Sequence, residues 1–110
     1  MEPIRVKGRT KPYCELGKLL DILARSRDVR GPYQIAQHLE YANGYEVSGQ
    51  AVSKYLYGNI GPKRAFVEAF ADAFGLSEQE RFELAWTYAY GLPIPPDKKL
   101  IALDRSLARG

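Results

Sequence analysis

One short segment, residues 48–58, holds side chains that could read the edge of a nucleic-acid base. If it is helical, Gly49, Gln50, Ala51 and Lys54 are predicted to point outward. Small side chains in an exposed first turn allow a helix to approach a groove closely, and an amide can pair with a base edge. This chemistry is that of a helix that enters the major groove of DNA.

The local pattern around these residues predicts that helix. Ser48 is a good N-cap, and Gly58 is a residue type that ends helices. Val52, Tyr55 and Leu56 have the i, i+3, i+4 spacing of one buried face. We therefore predict a recognition helix over residues 49–57, with the opposite face left to solvent.

Four further helices and a short C-terminal one are predicted from apolar spacing and capping signals. The first runs from Glu15 to about Ser26, the second opens at Gly31-Pro32, and Ser77 to Glu80 form a capping box for the fifth. The predicted buried faces of these helices, in chain order, are Leu16, Leu19, Leu20 and Leu23; Ile35, Ala36, Leu39 and Ala42; Phe66, Val67, Phe70 and Phe74; Phe82, Ala85, Trp86 and Ala89; and Leu100, Ile101, Leu103 and Leu107. No convincing strand pair is present, so the predicted fold is an all-α bundle of five to six helices.

Three segments divide the chain. Residues 1–12 are predicted to be a basic extended arm, residues 13–91 the helical domain, and residues 92–110 a proline-rich linker with a short helix capped by Asp97. The arm's cations alternate with other residues, so a period of two places all four on one side of an extended chain; they are Arg5, Lys7, Arg9 and Lys11. They could follow a DNA backbone or lie in a minor groove, or form an ordinary soluble tail.

Composition narrows the class of protein. The 110 residues make one domain with a net charge of +3, and residues 1–30 hold eight cations against four acids, whereas residues 66–92 hold five acids and one cation. A single cysteine, Cys14, allows no internal disulfide and no cysteine metal cluster, which fits a cytoplasmic location. No membrane-spanning run or signal peptide is evident, and no motif supports an enzyme, a cofactor or a small-molecule substrate.

Several conspicuous side chains are predicted to be structural. His38 has no second ligand at metal-binding spacing, and Cys14 has no histidine partner and is expected to be buried or half-buried. Tyr41, Tyr55 and Tyr88 are expected to be core or half-buried rings, whereas Tyr33, Tyr45 and Tyr57 are expected at a sugar-phosphate surface.

A set of motifs over roughly residues 14–77 resembles the lambda-repressor and Cro-type helix-turn-helix family, also called XRE. The matching residues are Ile35-Ala36 and Leu39; Val52-Ser53-Lys54-Tyr55 and Gly58; and Pro62 with Phe74-Gly75-Leu76-Ser77. The spacing from Pro62 to the Phe74-Gly75-Leu76-Ser77 ending is the most specific part of this likeness.

The resemblance implies a set of DNA contacts. Gln50, Ala51 and Lys54 would face bases, while contacts to the DNA backbone would come from Ser48, Ser53, Asn59, Lys63 and Arg64, with Tyr57 another candidate for the sugar-phosphate surface. Pro32 stands where the family usually has a glutamine that contacts DNA. Tyr33 or Gln34 would have to make this contact instead. The turn before the recognition helix is also longer than in the family's compact form.

These observations together predict a transcription regulator that binds double-stranded DNA as a homodimer. A homodimer places two recognition helices about 34 Å apart, and Leu100, Leu103 and Leu107 form an apolar stripe that could pack on a second copy or on its own domain. The alternative is a helical adaptor or antitoxin-like partner that uses the same fold to bind protein.

Overall fold

The chain folds into an all-α bundle, as the sequence predicted. The computed structural model describes residues 12–98, and within this range no strand is present. Its five helices are α1 (Glu15–Arg25), α2 (Pro32–Asn43), α3 (Gly49–Tyr57), α4 (Arg64–Ala73) and α5 (Glu78–Tyr90). None of these is long and apolar enough to cross a bilayer.

Local capping sets the ends of the helices. Ser48 caps α3 by accepting a hydrogen bond from the Ala51 N–H, and Ser77 with Glu80 forms the complete capping box of α5. The helix α3 ends at Gly58 in the left-handed conformation, which a residue without Cβ adopts without strain. The predicted limits of α3 are therefore confirmed.

The core lies where α2, α3 and α4 meet, with α1 packed against α3 and α5. All five helices contribute fully buried side chains to it. The largest of these are Phe66, Phe70, Leu20, Ile35, Leu39, Leu56 and Leu84. Phe66 and Phe70 lie one helical turn apart on α4 and contact each other, with ring centroids 6.2 Å apart. The helices α2 and α3 pack against this aromatic face of α4.

The prediction for the last turn of α2 was wrong. Ala42 is exposed rather than buried, and Tyr41 is 90% exposed rather than in or near the core. The side-chain amide of Asn43 donates to the Ala69 carbonyl at 3.1 Å, and this bond attaches the end of α2 to α4. Helical spacing alone continued the apolar stripe one turn too far.

The predicted inner face of α5 was wrong in part, because Phe82 is half-buried but the two alanines are not. Ala85 and Ala89 are exposed, and Trp86 is half-buried against Tyr90 rather than in the core. The face that turns inward instead has i, i+4, i+7, i+8 spacing and consists of Glu80, Leu84, Thr87 and Tyr88.

Two polar anchors explain this rotation of α5. Glu80 pairs with Arg27, and the Tyr88 hydroxyl donates to the Pro62 carbonyl at 3.0 Å. Because α5 carries apolar residues around much of its surface, hydrophobic spacing could not select the correct side.

The linker after α5 returns to the domain at Ile94, which is buried. Residues 96–98 are already helical, so Asp97 lies inside this turn and is not its cap, contrary to prediction. The predicted arm cations Arg5, Lys7, Arg9 and Lys11 and the leucines Leu100, Leu103 and Leu107 lie outside the described residues.

Candidate nucleic-acid interface

The helix α3 presents one polar face to solvent and one apolar face to the core. Val52 and Leu56 are fully buried, whereas Gln50 and Lys54 are exposed one helical turn apart. Ala51 and Ser53 are partly exposed beside them. An exposed amide and ammonium therefore lie on the same side of a nine-residue helix.

Gly49 departs from the prediction because it is buried rather than pointing outward. The ring of Tyr33 lies against it, and a Cβ built on Gly49 would collide with ring carbons Cγ, Cδ1 and Cε1. The outward face of α3 thus begins at Gln50.

The helix α1 supports α3 from behind through its N-terminal turn. The Cys14 N–H donates to the Leu56 carbonyl at 3.0 Å, and its thiol donates to the Tyr55 carbonyl, with sulfur and oxygen 3.6 Å apart. Cys14 also caps α1, since Sγ accepts from the Gly17 N–H. A Cβ on Gly17 would collide with the Leu56 carbonyl, so α1 and α3 approach closely there.

The sequence predicted that Cys14 would be buried or half-buried, and it is half-buried. Its capping role and the close approach at Gly17 were not predicted. A glycine inside a strongly amphipathic helix was the available signal, because glycine there lowers helix stability and is kept where two backbones meet closely.

The entrance to α2 lies beside the first turn of α3. Gly31 is the N-cap of α2 and offers no side-chain cap, and Pro32 has no N–H. The Gln34 side-chain oxygen accepts a hydrogen bond from the Arg30 N–H at 2.8 Å, whereas the Tyr33 side chain is 61% exposed. Because α2 has no side-chain cap, the backbone N–H groups of its first turn remain open to an external acceptor.

The loop after α3 and the start of α4 carry the remaining predicted backbone contacts. Asn59 is exposed, and its N–H donates to the Lys54 carbonyl at 2.9 Å, which fixes the loop to the end of α3. Lys63 is the exposed N-cap residue of α4. Neither Lys54 nor Lys63 forms an ion pair with any residue in the range 12–98.

Arg64 differs from these lysines because it already has an anionic partner. Its Nε lies 2.9 Å from a carboxylate oxygen of Glu68, and both side chains are largely exposed. A cation in the first turn of a helix is electrostatically unfavourable, and Glu68 compensates part of this cost. An exposed pair of this kind is weak enough for Arg64 to exchange partners.

The tyrosines divide differently from the prediction. Tyr55 and Tyr88 are half-buried, as predicted, and the Tyr55 ring contacts Phe66 edge-on at 4.8 Å. Tyr45 was expected at a sugar-phosphate surface, but it packs against the core near Phe66. Tyr57 is half-buried, and its ring meets Tyr13 edge-on at 4.8 Å.

Tyr13 is shielded by this contact. Burial, followed by the neighbouring Tyr57, raises the pKa of the Tyr13 hydroxyl above its ordinary value of 10.0. The Tyr13–Tyr57 pair extends the apolar support beneath the end of α3.

His38 lies on α2 and contacts the end of α4. Its Nε2 donates to the Ala73 carbonyl at 2.9 Å, and its ring lies 4.4 Å from that of Phe74. Within residues 12–98 there is no group of three histidine, cysteine or carboxylate side chains that could hold a metal ion.

A second surface lies between α4 and α5, which run antiparallel. It is a groove of about 340 Å³ with Val67, Ala71, Leu84 and Ala85 among its apolar lining residues. Arg81 joins the start of α5 to Asp72 near the end of α4 at 3.1 Å.

Comparison with known families agrees with this architecture. The sequence model of the family described as "Helix-turn-helix domain" matches residues 15–84. The chain therefore belongs to this helix-turn-helix family, and membership implies DNA binding. Searches of curated proteins and of solved structures returned no match.

Proposed function

We propose that this protein is a sequence-specific regulator of transcription of the lambda-repressor and Cro type. In this proposal α3 enters the major groove of double-stranded DNA, and two copies bind one site as a homodimer. The observation that carries it is the polar outer face of α3, where exposed Gln50 and Lys54 lie on a helix that is capped at both ends and supported by α1. A rigidly held helix with exposed donors and acceptors suits direct readout of base edges.

The proposed contacts fall into two groups. Gln50, Ala51 and Lys54 read bases, because they occupy the outer face of α3. The backbone contacts surround this face and come from Tyr33, Gln34, Ser48, Ser53, Tyr57, Asn59, Lys63 and Arg64. The Ser48 hydroxyl oxygen already accepts from Ala51, so its remaining hydrogen is available to a phosphate oxygen.

Salt dependence tests DNA binding itself. The duplex preferred by the intact protein is selected from a random library, and its affinity is measured at several salt concentrations. Log affinity should fall linearly with log salt, by roughly 0.9 for each phosphate neutralised. Binding that ignores salt would contradict the proposal and favour the alternative of a protein-binding adaptor.

Replacement of Gln50 by alanine tests base reading. We expect a loss of about 1 to 3 kcal/mol on the preferred duplex and little change on random DNA, because only base contacts discriminate between sequences. Gln37→Ala is the matched control, since Gln37 is an exposed glutamine of α2 outside the proposed contacts. Equal losses on both duplexes would show that Gln50 does not read a base.

The proposed interface of the homodimer includes the groove between α4 and α5. Its lining spans residues 64–71 of α4 and 81–88 of α5, about 10 Å of helix at roughly 1.5 Å per residue. The predicted stripe from Leu100 to Leu107 has the same length, and a short helix with three leucines needs an apolar surface to be stable. We propose that the C-terminal residues of one copy occupy this groove of the other.

A further inference from the structure

Tyr33 and Gly49 form a contact between the entrance of α2 and the first residue of α3. The ring carbons of Tyr33 occupy the space that a side chain on residue 49 would need, so a larger residue there would displace the ring. Gly49 is buried on the same face of α3 as Val52 and Leu56, and Tyr33 still exposes 61% of its surface. One side of the ring therefore contacts α3 while much of the side chain remains accessible.

This contact supports the N-terminal end of α3. The far end is fixed to α1 through Cys14 and Gly17, which meet the backbone at Tyr55 and Leu56. The near end follows residues 44–48, which contain no helix or strand. Tyr45 and Val47 of this segment pack against the core, and the ring on Gly49 adds a contact from α2 that opposes tilting of the near end.

The polar end of Tyr33 is free to meet a ligand. Its hydroxyl makes no hydrogen bond to any residue between 12 and 98, whereas the Gln34 side chain is already bonded to the Arg30 backbone. Tyr33 also lies in the first turn of α2, where an uncapped helix N-terminus favours anions. A phenol hydroxyl in this position suits a phosphate oxygen.

We infer that Tyr33 couples the DNA backbone to the orientation of the recognition helix. Its hydroxyl donates to a phosphate beside the bases read by Gln50, and its ring holds α3 at the angle that this reading requires. Residue 49 is glycine because the ring takes the place of a side chain. This inference rests on the proposed DNA binding, although the ring contact can be measured without DNA.

The variants separate the hydroxyl from the ring. Tyr33→Phe keeps the packing and removes the donor, so affinity should fall roughly 5- to 30-fold on preferred and random duplexes alike, because phosphate contacts carry no sequence information. Gly49→Ala displaces the ring. We expect it to reduce affinity at least tenfold more on the preferred duplex than on random DNA, because the angle of α3 changes.

A double-mutant cycle tests the coupling. Once Tyr33→Ala has removed the ring, adding Gly49→Ala should cause little further loss of either affinity or melting temperature, so the two changes should not be additive. Tyr41→Phe and Tyr41→Ala are the matched controls, because Tyr41 is a tyrosine of α2 that is 90% exposed. Both controls should bind as the unmodified protein does.

Each outcome bears on one part of the inference. Unchanged affinity of Tyr33→Phe would overturn the phosphate contact, and additive effects in the cycle would overturn the positioning role. If the unmodified protein binds no duplex, both the proposed function and the phosphate contact fail. The melting temperatures of the four proteins in the cycle would then still show whether the ring and Gly49 are coupled.

Discussion

At the scale of single residues, Gly17 has the most restrictive surroundings of the glycines in the described part of the chain. A Cβ there would meet the carbonyl carbon, carbonyl oxygen and Cα of Leu56, all of them backbone atoms of α3. Backbone atoms in a buried helix cannot rotate aside as a flexible side chain can. The absence of one methyl group therefore sets the separation of α1 and α3.

We expect Gly17→Ala to destabilise the protein by about 1 to 3 kcal/mol or more, because it overpacks a contact that is unable to relax. This outweighs the gain in helix propensity of about 1 kcal/mol. Urea unfolding measures the difference. The control is Gly61→Ala, since nothing lies within 4 Å of a Cβ at Gly61. A Gly17 variant as stable as this control would show that the two helices can separate at little cost.

At the scale of elements, Arg27 joins three helices near one point. Its guanidinium forms two hydrogen bonds to the Glu80 carboxylate, at 2.8 and 3.3 Å, and its Nε donates to the Phe74 carbonyl at 2.8 Å. Glu80 meanwhile accepts from the Ser77 N–H as part of the capping box. The end of α1, the end of α4 and the start of α5 are thereby held together.

This ion pair makes stability depend on pH. The hydrogen bonds from Arg27 are the main reason that the pKa of Glu80 is lowered from its ordinary value near 4.5. A carboxylate with a depressed folded-state pKa contributes stability above the unfolded pKa and loses it as pH falls through the folded pKa. We therefore expect the melting temperature to decrease as the pH is lowered below about 4.5.

Glu80→Gln isolates the charge, because glutamine can still complete the capping box. We expect a loss of about 1 kcal/mol at pH 7, and melting temperatures that converge with those of the unmodified protein at low pH. Glu68→Gln serves as control, because its pair with Arg64 is largely exposed and should contribute under about 0.5 kcal/mol. Parallel pH profiles for the Glu80 variant and the unmodified protein would rule out this role for the ion pair.

At the scale of the whole molecule, the basic arm is predicted to add affinity without adding stability. Deletion of residues 2–11 removes Arg5, Lys7, Arg9 and Lys11, so we expect weaker DNA binding and a shallower salt dependence. The melting temperature should change little, because the core described above is built from residues beyond the arm. A large decrease in melting temperature with unchanged affinity would instead assign the arm a structural role.

Assembly is the other property of the whole molecule. Sedimentation of the intact chain should give a dimer, whereas a chain ending at Lys98 should be a monomer that still folds, because it retains the buried Ile94. Ala85→Glu and Leu103→Glu alter the groove and the leucine stripe separately, and each should weaken the dimer. Ala85 is exposed, so its substitution should leave the fold intact. The same oligomeric state for the intact and the shortened chain, both on DNA and off it, would refute C-terminal dimerisation.

The sequence by itself determined the features that depend on neighbours within about one helical turn. The caps at Ser48 and Ser77 and the stop at Gly58 are of this kind, since their hydrogen bonds join residues three or four positions apart. Burial of Val52 and Leu56 followed from spacing, and it left Gln50 and Lys54 exposed. Their contacts with DNA remain predictions.

Tertiary structure decided the features that depend on residues distant in the chain. The rotation of α5 follows from the contact of Glu80 with Arg27, 53 positions earlier, and the ring that covers Gly49 is that of Tyr33, 16 positions earlier. The support of α3 likewise depends on Cys14, 41 positions before Tyr55. Hydrophobic periodicity cannot predict such contacts, because it records which side chains avoid water and not which distant groups they meet.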